Sequence, residues 1–229
     1  LSNRHADKLS AFAAQGVHTT TDNREVAAHA DLVVLGVKPQ MFGDVLPELR
    51  DLTAGKCVAA AVAWHLSGGT TELLFVTPEG YGVRAEKIGG TSDISAGQLI
   101  DRTGKLLGLA FPAGKALDAL AGDSQAEGKF RVRAEGLTFS LSGVENKVQA
   151  LAETAEPAEV ARFALATVAD VVGRVTRAAL EEHPGLPVLC SGGVASNRLL
   201  RDVLTKACGA IFAPPQYSTD NALGVAILA

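Results

Sequence analysis

Cysteine is scarce: Cys57, Cys190 and Cys208 are the only three in 229 residues, and no two form a CxxC pair. An odd count without that spacing argues against a disulfide framework, and the thiols read as small buried side chains. Long apolar runs are missing as well. The longest candidate, 57–64, falls far short of the ~18 residues that cross a membrane. The start, Leu1-Ser-Asn-Arg-His5, lacks the apolar stretch of a secretion signal. Basic residues are not in excess: 21 Lys+Arg stand against 25 Asp+Glu, a formal net charge of −4. That balance argues against a general nucleic-acid binder, while leaving room for a local basic groove. No internal repeat, low-complexity stretch, Ser/His/Asp constellation or HExxH motif is visible, so a peptidase reading finds no support. The expectation from these absences is a cytoplasmic protein with no membrane partner.

What is present is ordinary for a globular α/β protein. The chain is 47% hydrophobic and 20% charged, enough for a sizeable core. Its length allows one large domain or two small ones. It begins at Leu1 and stops within a helix-like pattern at 222–229, and we expect a piece of a longer protein. Residues 1–60 alternate helix and strand patterns: a helix over 6–15 stopped by Gly16, a short strand at 17–20, and a helix capped by Asp22 through His29. The unbroken apolar run 31–37 reads as a buried parallel strand, followed by a helix to Arg50 and another strand from Lys56. This is a βαβ pattern.

From 61 onward the texture changes. The stretches 72–76 and 81–84, split by Pro78-Glu-Gly80, predict a hairpin. A helix is expected from the Gly89-Gly-Thr-Ser-Asp93 loop through Leu107, and the longest helix over 157–180. In the latter, Val160, Ala164, Val168, Val171, Val175 and Ala179 share one face at helical spacing. A strand at 186–190, a helix over 196–206, a strand at 209–212 and a terminal helix opened by Ser218-Thr-Asp-Asn221 complete the pattern.

Three Gly-rich loops stand out: Ser67-Gly-Gly-Thr-Thr71, Gly89-Gly-Thr-Ser-Asp93 and Ser191-Gly-Gly-Val-Ala-Ser-Asn-Arg198. Glycine lets backbone N–H groups approach a phosphate, and a following helix N-terminus favours negative charge. One such loop is usually punctuation. Three with neighbouring hydroxyls favour a nucleotide or acyl-phosphate site.

The first and third of these loops, with Ala96-Gly-Gln-Leu-Ile-Asp101, Lys105-Leu-Leu-Gly-Leu, Pro112-Ala-Gly114, Phe139-Ser-Leu-Ser-Gly143 and Ser218-Thr-Asp-Asn221, occur in an order that resembles the C-terminal portion of the tRNA N6-adenosine threonylcarbamoyltransferases. That is the glycoprotease-like branch of the actin-type ATPase fold. The resemblance implies an α/β chain whose residues 61–229 form an actin-like ATPase (ribonuclease H-like) lobe. It implies transfer of a threonylcarbamoyl group from threonylcarbamoyl-adenylate to N6 of adenosine in tRNA. By it, Ser67, Gly68 and Gly69 would hold the phosphates and the acyl group, Asp101, Gly114 and Asp118 would line the nucleoside pocket, and Asn197 would contact the nucleotide. Asp220 would ligate a divalent metal, iron or zinc; taken alone it reads equally as the cap of the last helix. The partners implied are tRNA and an actin-like protein subunit. Asp101, in mid-helix, reads otherwise as a solvent-exposed side chain, and His65 as a structural one.

The chain departs from that family's pattern at three places. Thr70 stands where the family has His, Asp93-Ile-Ser-Ala-Gly-Gln-Leu-Ile-Asp101 replaces Asp-Asp-Ala-Ala-Gly-Glu-Ala-Phe-Asp, and Glu145 stands where a Lys is expected. The paired His-x-x-x-His of the metal site is not in the sequence, and one Asp cannot satisfy a metal alone. These departures leave a non-catalytic partner subunit of the same machinery as the alternative.

Residues 1–60 are similar to something else. Leu1-Ser-Asn-Arg4, Thr19-Thr-Thr-Asp-Asn23, Asp31-Leu-Val-Val-Leu-Gly-Val-Lys-Pro-Gln40 and Leu52-Thr-Ala-Gly-Lys-Cys57 resemble an interior piece of pyrroline-5-carboxylate reductase. This implies a partial Rossmann segment in which Ser2, Asn3, Arg4, Asn23, Val37, Lys38 and Pro39 face NADP. The Gly-rich loop that forms the pyrophosphate site is not in the sequence, so NADP would bind only if this segment were functional. A remnant of that reductase is the third reading.

Overall fold

The computed structural model describes residues 1–29, apart from 4 and 15, and residues 60–212, apart from 80 and 81. In the first stretch a 3-10 turn, Ala6–Leu9, runs into a short helix α1, Ser10–Ala13, and Gly16 leaves it at φ +81°. Ser2 and Thr20 then meet in a parallel bridge, so the intervening helical turns form a small crossover. Helix α2, Asn23–His29, follows, with the Asp22 carboxylate accepting the Arg24 N–H at 2.8 Å. The strand and helix expected over 31–50, and the strand from Lys56, lie outside the described residues.

The second stretch forms a sheet of seven strands: β1 Ala61–Leu66, β2 Thr71–Glu79, β3 Gly82–Thr91, β4 Ala134–Glu135, β5 Thr138–Phe139, β6 Val188–Ser191 and β7 Ile211–Phe212. Their order is β4-β5-β3-β2-β1-β6-β7. β1 is parallel to β6 and β6 to β7, while β2 runs antiparallel between β1 and β3, and β3 is parallel to β5. The carboxyl ends of β1, β3, β5 and β6 therefore share one edge. The hairpin is longer than its sequence pattern suggests, and a bulge at Ile88 shifts the β2–β3 register.

The helices are α3 Ala96–Leu106, α4 Gly114–Gly122, α5 Ser142–Ala152, α6 Pro157–Glu182 and α7 Arg198–Cys208. The core joins Val62, Trp64, Leu66 and Leu73 of the sheet to Leu99, Leu117, Val144, Leu200 and the buried face of α6. All six α6 residues expected inside are buried, and Pro157 opens that helix where its missing N–H costs nothing. Ala61, Ala63 and Val76 are buried on the other side of the sheet against Leu74 and Leu189. Burial on both faces explains why β1 opens with four apolar residues in a row, Ala61 to Trp64. Among the described residues no helix is long and apolar enough to cross a membrane.

One expectation is corrected. Gly89 and Gly90 do not form a loop; they lie in β3, paired to Leu73 and Glu72. A Cβ on Gly89 would sit 2.4 Å from the Leu137 carbonyl oxygen, and one on Gly90 2.3 Å from that of Thr71. These glycines serve close strand contact rather than a phosphate.

Candidate nucleotide site

Two of the Gly-rich loops meet. The 67–70 turn follows β1 and the 192–193 turn follows β6, its parallel neighbour. Gly192 has φ +96° and ψ 162°, and a Cβ there would stand 2.2 Å from the Leu66 carbonyl oxygen. The first turn is closed by Ser67, whose N–H donates to the Thr70 carbonyl (2.9 Å) and whose hydroxyl accepts the Thr70 N–H (3.0 Å). Gly68 and Gly69 are exposed, their N–H groups have no partner among the described residues, and an added Cβ on either would meet nothing within 4 Å. Ligands of open α/β sheets bind at such carboxyl ends.

Helix α3 abuts the first loop. Ser95 caps it in a capping box with Gln98, and the Ser95 hydroxyl donates to the Gly68 carbonyl at 2.7 Å. The Ala96 N–H donates to the buried Thr71 hydroxyl at 2.8 Å. A Cβ on Gly97 would lie 2.4 Å from Gly68 Cα, so the helix rests on the loop backbone. Sequence reasoning missed Ser95, Thr71 and Gly97. The Ser-x-x-Gln spacing at 95–98 was the available signal.

Asp101 is half-buried on α3 and accepts the Ala113 N–H at 2.8 Å, which ties the start of α4 and hence Gly114 to α3. It is not the freely solvated side chain its position suggested. Asp118, on α4, accepts Asn197 Nδ2 at 2.6 Å and Arg198 Nε at 2.8 Å, while the Arg198 N–H lies at 3.2 Å. Asn197 also caps α7 through the Leu200 N–H at 3.0 Å. Asp118, Asn197 and Arg198 thus form one cluster, joined to Gly193 by the 3-10 turn Gly193–Ser196. Arg198 was not among the expected residues. His65, on β1, faces Ser191 of β6, with Nδ1 3.5 Å from the Ser191 hydroxyl.

At the same edge Asp93 joins β3 to α5. Its carboxylate accepts the Ser140 hydroxyl, the Leu141 N–H at 2.8 Å and the Ser142 N–H at 3.2 Å. Partial burial raises its pKa, but the Ser140 hydroxyl and the Leu141 N–H outweigh it and hold the carboxyl well below the usual range. A depressed folded pKa stabilises the protein above the unfolded carboxylate pKa and loses that effect as pH falls through the folded value. Denaturant titrations should therefore show Asp93→Asn less stable than the parent above about pH 5, with the gap narrowing below about pH 4. A gap that did not depend on pH would overturn this account.

Glu145, on α5, pairs with Arg102 of α3 at 2.6 Å, so the residue standing in place of Lys has a partner. Cys190 is no nucleophile: burial and the neighbouring Cys208 push its thiol up to about 12, and both cysteines are free. Of the residues expected to face NADP, Ser2 donates to Asn23 Oδ1 at 2.6 Å and Asn3 accepts the His5 N–H at 3.0 Å. Arg4, Val37, Lys38, Pro39 and Asp220 lie outside the described residues. Among the described residues no group of three His, Cys, Asp or Glu side chains could hold a metal.

The model of the tRNA N6-adenosine threonylcarbamoyltransferase family matches residues 51–227, and that of the coenzyme F420-dependent NADP oxidoreductases matches residues 1–63. A tRNA N6-adenosine threonylcarbamoyltransferase of Paracidovorax citrulli is 35% identical over 219 residues, covering 89% of this chain and 61% of that protein. Proteins of the same name from Streptococcus suis and Gluconobacter oxydans are 32% and 35% identical, covering 73% and 70% of this chain and 53% and 49% of their own lengths. The chain thus spans about half to three-fifths of these curated relatives. Full-length HypF, solved in its phosphate- and nucleotide-bound form, is similar over 76% of this chain and 33% of its own, with a TM-score of 0.62 and 13% identity. HypF of T. kodakarensis covers 63% of this chain and 20% of its own at a TM-score of 0.50 and 21% identity. These likenesses show the fold, that of the actin-like ATPases. With more than half its length matched by one family model, the chain belongs to the tRNA N6-adenosine threonylcarbamoyltransferase family.

Proposed function

We propose that this chain supplies the nucleotide-binding lobe of an enzyme that transfers a threonylcarbamoyl group from threonylcarbamoyl-adenylate to N6 of adenosine in tRNA. The observation that carries the reading is the meeting of the 67–70 and 192–193 loops at one sheet edge, with the Gly68 and Gly69 N–H groups open. Those donors would hold the phosphate of the adenylate, and Asp101, Gly114, Asp118 and Asn197 would border its nucleoside. The adenine N6 attacks the carbamoyl carbonyl carbon. The bond from that carbon to the phosphate oxygen breaks, AMP departs with the electron pair, and N6 gives up a proton to solvent. Donors fixed on the phosphate stabilise the charge that gathers on the leaving group.

A divalent iron or zinc ion would polarise the carbonyl in the complete enzyme, with Asp220 as the ligand this chain offers. The described residues do not supply the rest of a ligand set, and no step above depends on one. An actin-like subunit is the proposed protein partner, and the cytoplasm the proposed location. We further propose that the chain has two parts meeting near residue 60, since the two family matches overlap only at 51–63. NADP would be a ligand of the first part alone.

Calorimetric titration of the 229-residue chain with AMP tests the reading. The parent should bind, and Gly69→Ala should weaken binding at least tenfold, or about 1.4 kcal/mol. Its melting temperature should not change, because the added methyl meets nothing within 4 Å until a phosphate arrives. A parent chain that does not bind AMP would overturn the proposal.

A further inference from the structure

Among the described residues Phe111 is the most exposed large apolar side chain, at 83%, and Leu106, which ends α3, is 46% exposed. An apolar side chain exposed singly is ordinary, so what decides its meaning is how it is held and what stands on the elements beside it. The loop that carries it is not loose. The Leu109 N–H donates to the Gly104 carbonyl at 2.8 Å and the Gly108 N–H to the Lys105 carbonyl at 3.1 Å. The Ala113 N–H is held by Asp101 at 2.8 Å, and a Cβ on Gly104 would strike that of Ala113 at 2.1 Å. The ring is therefore presented on a fixed support against the end of α3.

The free charges on the two helix ends that this loop joins have one sign. Lys105, in the last turn of α3, and Lys115, in the first turn of α4, are exposed, and neither forms an ion pair or hydrogen bond among the described residues. The nearby acids are already engaged: Asp101 with Ala113, Asp118 with Asn197 and Arg198. Arg102 is balanced by Glu145. An exposed ring on the loop that joins two helix ends, each carrying an exposed and unpaired lysine, suits a base stacked on the ring with its phosphates toward the lysines. A protein partner would fit the ring but gives no use for two uncompensated cations. The distance is suitable as well. From Gly97, at the 67–70 loop, to Gly104, under the Phe111 loop, α3 rises about 10 Å, the length of about three stacked bases.

We propose that Phe111, Lys105 and Lys115 form a platform for single-stranded RNA, on which bases flanking the reactive adenosine stack. The inference rests on the tRNA reading above and adds to it the surface that holds the acceptor. Phe111 is a positioning residue here, since it touches the flanking bases and not the reacting atoms.

The test measures binding of the 229-residue chain to a fluorescein-labelled RNA hairpin with an unpaired adenosine in its loop. Phe111→Ala should weaken binding about 5- to 150-fold, the range for losing one stacked base. Phe111→Trp should keep the affinity, and its exposed indole should be quenched by the RNA, which the buried Trp64 cannot be. Lys105→Ala and Lys115→Ala should each lower the slope of log affinity against log salt by about 0.7. AMP binding should be the same in all four variants. Equal RNA affinity for Phe111→Ala and the parent, or an unquenched Phe111→Trp, would overturn the proposal and leave the ring as a protein contact. Failure of the parent to bind AMP would instead strike the function proposed for the chain, so the two failures are separable.

Discussion

Gly192→Ala is expected to lower the melting temperature by roughly 10 °C and to abolish AMP binding, the result of about 3 kcal/mol or more of destabilisation. Two separate effects act at this residue. Its φ of +96° with ψ 162° is a conformation that glycine alone adopts at little cost. The added methyl would also stand 2.2 Å from the Leu66 carbonyl oxygen and 3.0 Å from the Ser67 nitrogen, both backbone atoms that cannot swing aside. The loop can relieve this only by leaving β1, which separates it from the 67–70 turn. Gly193→Ala is the control, since a Cβ there meets nothing within 4 Å and the residue keeps an ordinary φ. Thermal melts of both variants, with AMP titration of Gly192→Ala, decide the matter, Gly193→Ala serving as the control for folding alone. If Gly192→Ala melted with the parent, the close approach of the two loops would have no energetic meaning.

That contrast also shows what the sequence could and could not reveal. Gly192, Gly193, Gly89 and Gly90 all read as loop glycines, because sequence records the missing side chain and not what stands in its place. Only the contacts separate Gly90, pressed against β2, from Gly69, open to a ligand. The face of α6 was legible because helical spacing maps directly onto burial when one side meets a sheet. The order of the motifs was legible too, and it led to the family. Asn197 was expected at the nucleotide, and its cap of α7 and its bond to Asp118 need a partner 79 residues distant, which no local pattern reports. Asp93 was visible only as part of a Gly-rich stretch, while its role depends on Ser140–Ser142, brought alongside by the β3–β5 pairing.

Trp64→Ala is the other large expected effect, a loss of about 4 kcal/mol. Trp64 is 1% exposed on β1, three residues before Ser67, with its ring 6.4 Å from that of Phe139. Its indole N–H donates to the Thr176 hydroxyl at 2.8 Å, which fastens β1 to the C-terminal half of α6. The two ends of that bond are not equivalent. The Thr176 hydroxyl also donates to the Val172 carbonyl at 2.7 Å, so Trp64→Phe leaves it with a partner. Thr176→Val, in contrast, strands a buried N–H and should cost about 1–3 kcal/mol. With both changes made together the polar groups vanish as a pair, and the loss should fall short of the two single losses by about 1 kcal/mol. Urea unfolding of the four proteins measures this. Strict additivity would mean that apolar packing alone holds β1, and with it the Ser67–Gly69 turn, against α6.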